Sequence, residues 1–257
     1  MSVTVRFQFA RRGPVRYLGH LDMLRYFQKA VMRSQIPAKY TEGFHPHQIM
    51  SFAYPLGVAM ETDGDYMDLE LTEEAEAAEL CDALNAVMHE GIWIRAAAVL
   101  PPKAAGAMAS VAAADYERRF EAEASGKEGH LREMLMRAVE ALFAEEELLI
   151  GGAGQEETAQ DTDSRRRQGK GKKEKKTKDI RPGIVRMRVD DAKAAVYMRL
   201  LSGSALNVRP ADVCAMLMER MPGEDITLKH LIRKEIYGMR NGKFVPLLQL
   251  EQAEQKG

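Results

Sequence analysis

The chain opens on strict alternation. Val3, Val5, Phe7 and Phe9 fall on one side and Thr4, Arg6 and Gln8 on the other, the period of a strand with one face in a core and one in water. Gly13 and Pro14 end that pattern within "RRGPVRYLG", a loop. A helical period follows over residues 21–35, where Leu21, Leu24, Phe27, Ala30 and Val31 recur until Pro37 stops the run. "IMSFAYPL" and "DYMDLEL" return to strand composition, and residues 62–64 predict the turn between them. Thr72 with Glu73 and Glu74 predicts the start of a second helix, because carboxylates suit its positive end. Leu80, Leu84 and Val87 form its buried stripe, Gly91 its stop, and "IWIRAAAVLPP" the next strand.

This βαββαβ order predicts an α+β protein whose residues 1–103 form a ferredoxin-like domain. The rest reads as a second, smaller α+β unit over residues 111–150 and 180–250. It has strands at "AADYERRFEAE", "IVRMRV", "AVYMRLL", "ITLKHLIRKEIYGM" and "KFVPLLQL". Its helices fall at "HLREMLMRAVEALFAEEELL" and "RPADVCAMLMER", the latter with Pro210 in its first turn. A degenerate copy of the first unit is one explanation of this order, although no residue-level repeat carries it. Residues 151–179 hold almost no large apolar side chains and read as a charged, flexible linker or insertion.

Composition changes this picture little. Hydrophobic residues make up 46% and charged residues 29%, as in ordinary globular proteins, and the formal net charge is −1. That balance gives no global attraction to nucleic acid or membrane. No run reaches the roughly 18 apolar residues of a membrane span, and the alternating N-terminus is unlike a signal core. Cys81 and Cys214 read as small core residues of a cytoplasmic protein.

Local constellations carry more information. Arg11, Arg12 and Arg16 precede the first helix, and Arg25, Lys29 and Arg33 follow at i, i+4 spacing opposite its apolar stripe. With His20 and Asp22 at the helix start, where unpaired N–H groups favour anions, they resemble a phosphate-holding corner. A solvated helix face and a capping Asp22 are the plainer explanations. His45 and His47, with His20 and Asp22, have the residue types of a His/carboxylate metal site. His47 also suits acid–base chemistry near neutral pH. The competing structural explanation has Phe44 plugging a core, Pro46 stiffening a turn and the histidines capping backbone groups. Asp68 and Glu70 alternate with Met67, Leu69 and Leu71 as a solvated strand face, beside Glu61, Asp63 and Asp65. The tract "RRRQGKGKKEKKTK", residues 165–178, suits salt-sensitive contact with RNA phosphates as an accessory feature.

In order, "GHLDMLRYFQKAVMRSQIP", "EGFHPHQ" and "SFAYPLGVAMETDGDYMDLEL" resemble the motifs of the radical-SAM-linked family of domains of unknown function. Those motifs are a His-Leu-Asp helix start, a Leu- or Ile-Pro helix end, a Gly-Phe-x-Pro-His loop and a Ser-Phe-Ala-x-Pro-Leu strand. By this resemblance His20, Asp22, Gly43, Phe44, Pro46, His47, Ser51 and Pro55 occupy motif positions, and His45 falls on a variable one. Gly19 stands where many relatives have serine, and Gln28 and Lys29 replace a more usual acidic–arginine pair, which puts polar contacts at 19 and 28 in question.

The resemblance implies a component that works with a radical-SAM protein. This chain has no CxxxCxxC, and its two cysteines cannot supply three thiolates. S-adenosylmethionine and an iron–sulfur cluster are therefore expected only on a separately encoded partner, with neither metal nor cofactor on this chain. The family's genomic association with RNA-processing and ribosomal genes implies RNA modification or maturation. The expectation is a non-catalytic or partner-dependent accessory or RNA-binding domain. Its RNA surface would comprise Arg11, Arg12, Arg16, Arg25, Lys29 and Tyr40; RNA and a radical-SAM protein are its candidate partners, and membrane and DNA are not. One alternative is a stand-alone metal-dependent or acid–base enzyme using His20, Asp22 and His47. Another is a structural docking domain for the radical-SAM subunit.

Overall fold

The computed structural model describes residues 2–122, 128–151, 177–203, 206–223 and 225–251. Strand β1 (Val3–Arg11) passes through a 3₁₀ turn (Gly13–Tyr17) into α1 (His20–Ser34). Strands β2 (Met50–Phe52) and β3 (Met60–Leu71), helix α2 (Ala77–Asn85) and strand β4 (Ile92–Val99) complete a first unit. A short α3 (Ala107–Ser110) leads to β5 (Ala113–Ala122), α4 (Glu128–Ala144) and a two-stranded ribbon of β6 (Leu149–Ile150) and β7 (Lys178–Asp179). Then come β8 (Ile184–Val189), β9 (Ala195–Leu201), α5 (Pro210–Glu219), β10 (Ile226–Arg240), β11 (Lys243–Pro246) and α6 (Leu247–Leu250).

The fold is α+β. In the first unit the strands run β4-β1-β3, with β2 on the C-terminal half of β3, all antiparallel. This agrees with the split βαβ arrangement. The second unit runs β10-β5-β9-β8, also antiparallel. Numbered by its own order of appearance in this path, it has the same 4-1-3-2 arrangement as the first. The two units share one sheet because β10 lies parallel to the N-terminal end of β3, Leu231 opposite Met60 and Arg233 opposite Thr62. Gly64 permits this junction: a Cβ there would lie 2.6 Å from the Lys234 carbonyl oxygen.

Each unit has its own core. Val5, Phe7 and Phe9 pack with Phe27, Val31, Leu80, Leu84, Met67 and Leu69. Tyr116, Phe120, Val196, Met198 and Leu200 pack with Leu131, Leu135, Val213 and Leu217.

Several local expectations change. The turn expected at 62–64 lies inside β3, where Gly64 serves close approach of β10 and not chain reversal. "IMSFAYPL" is a strand only over Met50–Phe52. The second helix starts at Ala77, not at Thr72, whose N–H and hydroxyl both donate to the Pro37 carbonyl (2.9 and 3.2 Å). That helix ends at Asn85, ahead of Gly91, whose φ of +92° serves the turn into β4. "KFVPLLQL" is a strand over Lys243–Pro246 and a short helix over Leu247–Leu250. The strand face expected to be solvated is covered: Arg6 and Asp68 are buried beneath Ala105, α3 and Leu247. Residues 152–176, with most of the expected linker and basic tract, lie outside the described residues. Lys178 and Asp179, at the end of that stretch, pair with Ile150 and Leu149.

Candidate functional site

The residues singled out by the sequence gather at one end of the first unit, where β1 ends, α1 begins and the chain returns through residues 35–59. The basic corner expected there is largely neutralised from within. Arg11 is buried, and its guanidinium donates to the carbonyls of Leu18 (2.9 Å), Gly57 (3.2 Å) and Met60 (2.9 Å). Arg12 pairs with Asp63 and Glu61, and Arg16 with Glu61 at 3.3 Å. Burial pushes the Glu61 carboxyl up, but the Gly13 N–H and both arginines outweigh it and hold it below its ordinary range. The carboxylates of β3 therefore absorb the charge of this loop. Arg25 and Lys29 do reach solvent from α1, Arg25 within 3.8 Å of Asp22. Asp22 makes no capping bond at the start of α1.

The loop between α1 and β2 has a braced base and an open tip. The Thr41 N–H donates to the His47 carbonyl (2.8 Å), and Tyr40 bridges to Gln48. The Gln48 amide, itself buried, donates to the Gln28 carbonyl of α1 (3.2 Å) and to the Tyr40 hydroxyl (3.3 Å). The His47 N–H donates to Thr41 Oγ1 (3.1 Å), and its Nδ1 lies 3.1 Å from that oxygen and 3.3 Å from the His45 carbonyl. Gly43 takes φ of +113°, which explains a glycine at the tip in terms of backbone and not of space. Phe44, next to it, is 101% exposed: it plugs no core, and projects wholly into solvent. Tyr17 (59% exposed), Leu21 (44%), Met32 (66%), Tyr40 (45%) and Val58 (62%) are the other exposed large apolar groups of this stretch of chain.

His20 does not share His47's neighbours. Its ring meets Phe52 edge-on at 5.6 Å, while Asp22 faces Arg25 and His47 faces Thr41. Among the described residues no group of three or more His, Cys, Asp or Glu is placed to hold a metal ion.

The "SFAYPL" segment is held from the second unit. Ser51 is exposed opposite Asp68 on β3. Arg233 of β10 donates to the carbonyls of Tyr54 (2.9 Å) and Pro55 (3.4 Å) and lies 5.0 Å above the Tyr54 ring. Beneath this segment is a small, partly open pocket with room for about one water, lined by Phe9, Arg11, His20, Met23, Phe52, Tyr54, Leu56 and Asp65. Asp65 is already engaged, forming a two-pronged pair with Arg233 (2.6 and 2.7 Å) and accepting from the Thr62 hydroxyl (3.1 Å).

Sequence reasoning missed the hold of Arg233 on this segment because Arg233 lies far away in the chain, and missed a half-buried polar group at the same junction. Glu235 accepts from the Tyr66 hydroxyl (2.5 Å), Gln8 (3.0 Å) and the Ile236 N–H (2.9 Å). Burial dominates these bonds and pushes its pKa up to about 7. Cys214 is buried and Cys81 half-buried, both free. Among the described residues no helix is long and apolar enough to cross a membrane.

A family model described as an uncharacterized protein conserved in bacteria, DUF2344, matches residues 4–210. No curated protein matches the chain. A crystal structure of an unknown protein from Galdieria sulphuraria is 12% identical, over 89% of this chain and 98% of its own, with a TM-score of 0.23. Similarity at that score carries no argument about the fold.

Proposed function

Since the chain belongs to the DUF2344 family of uncharacterized bacterial proteins, with no activity in that description to draw on, we propose its role from the geometry: an accessory domain that docks a partner protein through its motif end. The observation that carries this is Phe44. A phenylalanine fully in water, held at the tip of a loop with a braced base, contributes nothing to the core and presents a large apolar anchor. Tyr17, Leu21, Tyr40 and Val58 extend the apolar character of the neighbouring chain. The motif resemblance makes a separately encoded radical-SAM protein the expected partner, which would supply S-adenosylmethionine and the iron–sulfur cluster. Co-expression of the two chains followed by gel filtration tests this. The native chain is expected to co-elute with that protein and Phe44→Ser to elute alone. Co-elution unaffected by Phe44→Ser would sink the assignment.

RNA contact is the second reading, favoured by the exposed Arg25 and Lys29 on α1 and the open Tyr40 ring. Arg11, Arg12 and Arg16 belong to internal bonds and do not serve it. A structured RNA would then bind with a steep salt dependence that flattens in Arg25→Ala/Lys29→Ala. Equal binding by that double variant removes the surface.

A further inference from the structure

Helix α1 buries one face and turns a partly apolar one to water. Met23, Phe27, Ala30 and Val31 pack into the core of the first unit, as a helix laid on a sheet requires. Opposite them Leu21, Arg25, Gln28 and Met32 follow at steps of four, three and four residues, a single line along the helix. Leu21 and Met32, at the two ends of that line, are 44% and 66% exposed. Singly, each would call for no explanation. They stand, however, beside the motif loop. The Gln48 amide donates both to the Gln28 carbonyl (3.2 Å) and to the Tyr40 hydroxyl (3.3 Å), which sets the open Tyr40 ring next to the middle of α1. Phe44 projects from the same loop.

Between the apolar ends, positive charge is left over. Asp22 is the one carboxylate of α1, against Arg25, Lys29 and Arg33. Arg25, its side chain 71% exposed, meets Asp22 only at 3.8 Å, and the exposed Lys29 has no carboxylate within ion-pair distance among the described residues. Arg33 is drawn aside to the Val87 carbonyl (3.0 Å). Arg25 and Lys29 lie one helical turn apart, about 6 Å along the axis.

We infer that α1 receives an acidic amphipathic helix of the partner protein, lying along the line from Leu21 to Met32. This rests on the docking reading above and names what docks. The line is about 16 Å long, three turns of helix. A helix packed alongside presents side chains at the same spacing, so two carboxylates one turn apart meet Arg25 and Lys29 while apolar neighbours cover Leu21 and Met32. A strand would find no open backbone edge on α1, whereas a helix satisfies its own N–H and C=O groups. An RNA chain would use the two cations and leave Leu21 and Met32 without partners.

The test uses the full chain with the co-expressed radical-SAM protein, the affinity of the two being read by titration calorimetry. Arg25→Glu/Lys29→Glu is expected to weaken the complex at least about tenfold, and Leu21→Ser/Met32→Ser comparably. Lys243→Glu, an exposed charge reversal on β11, should leave it unchanged. Melting curves of the isolated variants should match the native chain, since none of the altered side chains is buried. Hydrogen exchange in the complex should protect a partner segment carrying Asp or Glu four residues apart. A complex broken by Phe44→Ser but untouched by both α1 double variants would keep the docking reading and overturn the helix. Protection of a basic partner segment would overturn it too, as would loss of bound RNA, with the two proteins still joined, in Arg25→Glu/Lys29→Glu. Absence of any complex with the native chain would remove both readings.

Discussion

The two units of the sheet carry the same cross-strand ion pair in opposite order. In the first, Arg6 on the strand at the centre of that unit faces Asp68 on its neighbour; in the second, Asp115 faces Arg199 at the corresponding strand pair. Both pairs are two-pronged, at 2.8 and 3.0 Å and at 2.7 and 2.8 Å. Both lie on the face of the sheet away from the unit's helical core. Their surroundings differ. Arg6 and Asp68 are sealed, with side chains 0% and 7% exposed, and the carbonyls of Ala105 and Leu247 and the Ala107 N–H take up the remaining bonds. Arg199 and Asp115 keep 13% and 16% exposure, with Arg186 and the Tyr237 hydroxyl also on Asp115 and the Tyr237 ring 3.9 Å from the guanidinium. The same pair is thus a buried fastening in one unit and a partly wet ladder in the other, and what decides is the chain that returns to cover it.

The largest effect should come from breaking the sealed pair. Arg6→Met leaves Asp68 buried without its partner, which should lower stability in chemical denaturation by about 3–5 kcal/mol, and adding Asp68→Leu should restore most of that loss. If Arg6→Met is nearly silent, the covering by α3 and α6 is not what the structure implies. Next is the junction between the units. Glu235, raised to about 7 in the fold against an ordinary 4.5, binds its proton more tightly folded than unfolded. Stability is therefore fully present below the ordinary value and lost as pH rises through about 7. Glu235→Gln should flatten that decline and raise the melting temperature at pH 8; an unchanged pH profile would contradict it.

The open pair should respond more weakly. Burial alone would raise the Asp115 carboxyl, but Arg199 and the Tyr237 hydroxyl hold it below its ordinary value. Its contribution is present above the ordinary aspartate range and lost as pH falls through the lower folded value. Arg199→Met should cost about 1 kcal/mol near neutral pH, and less in acid, when followed by thermal melts. A loss as large as that of Arg6→Met would erase the contrast between the two units.

Local pattern made much of the first unit legible: the alternation of Val3, Val5, Phe7 and Phe9 and the helical stripe through Phe27 and Val31 both mark buried faces in the structure. What stayed hidden depends on distant chain. Arg6, Asp68 and Asp65 look like surface charges until Leu247 and Arg233 arrive from the second unit. Gly64 reads as a turn because glycine usually marks one, whereas here it admits the backbone of β10. At the candidate site the motif residues were legible, but their roles were not: Arg11 looked like a surface cation and Phe44 like a core plug, and burial reverses both.

The smallest expected change in stability belongs to the most exposed ring, and it carries the most weight for function. If the motif loop is spent on recognition, Phe44→Ser should leave the melting temperature of the isolated chain unchanged and remove its co-elution with the radical-SAM protein. A clear fall in melting temperature with the complex intact would show instead that the loop serves the fold.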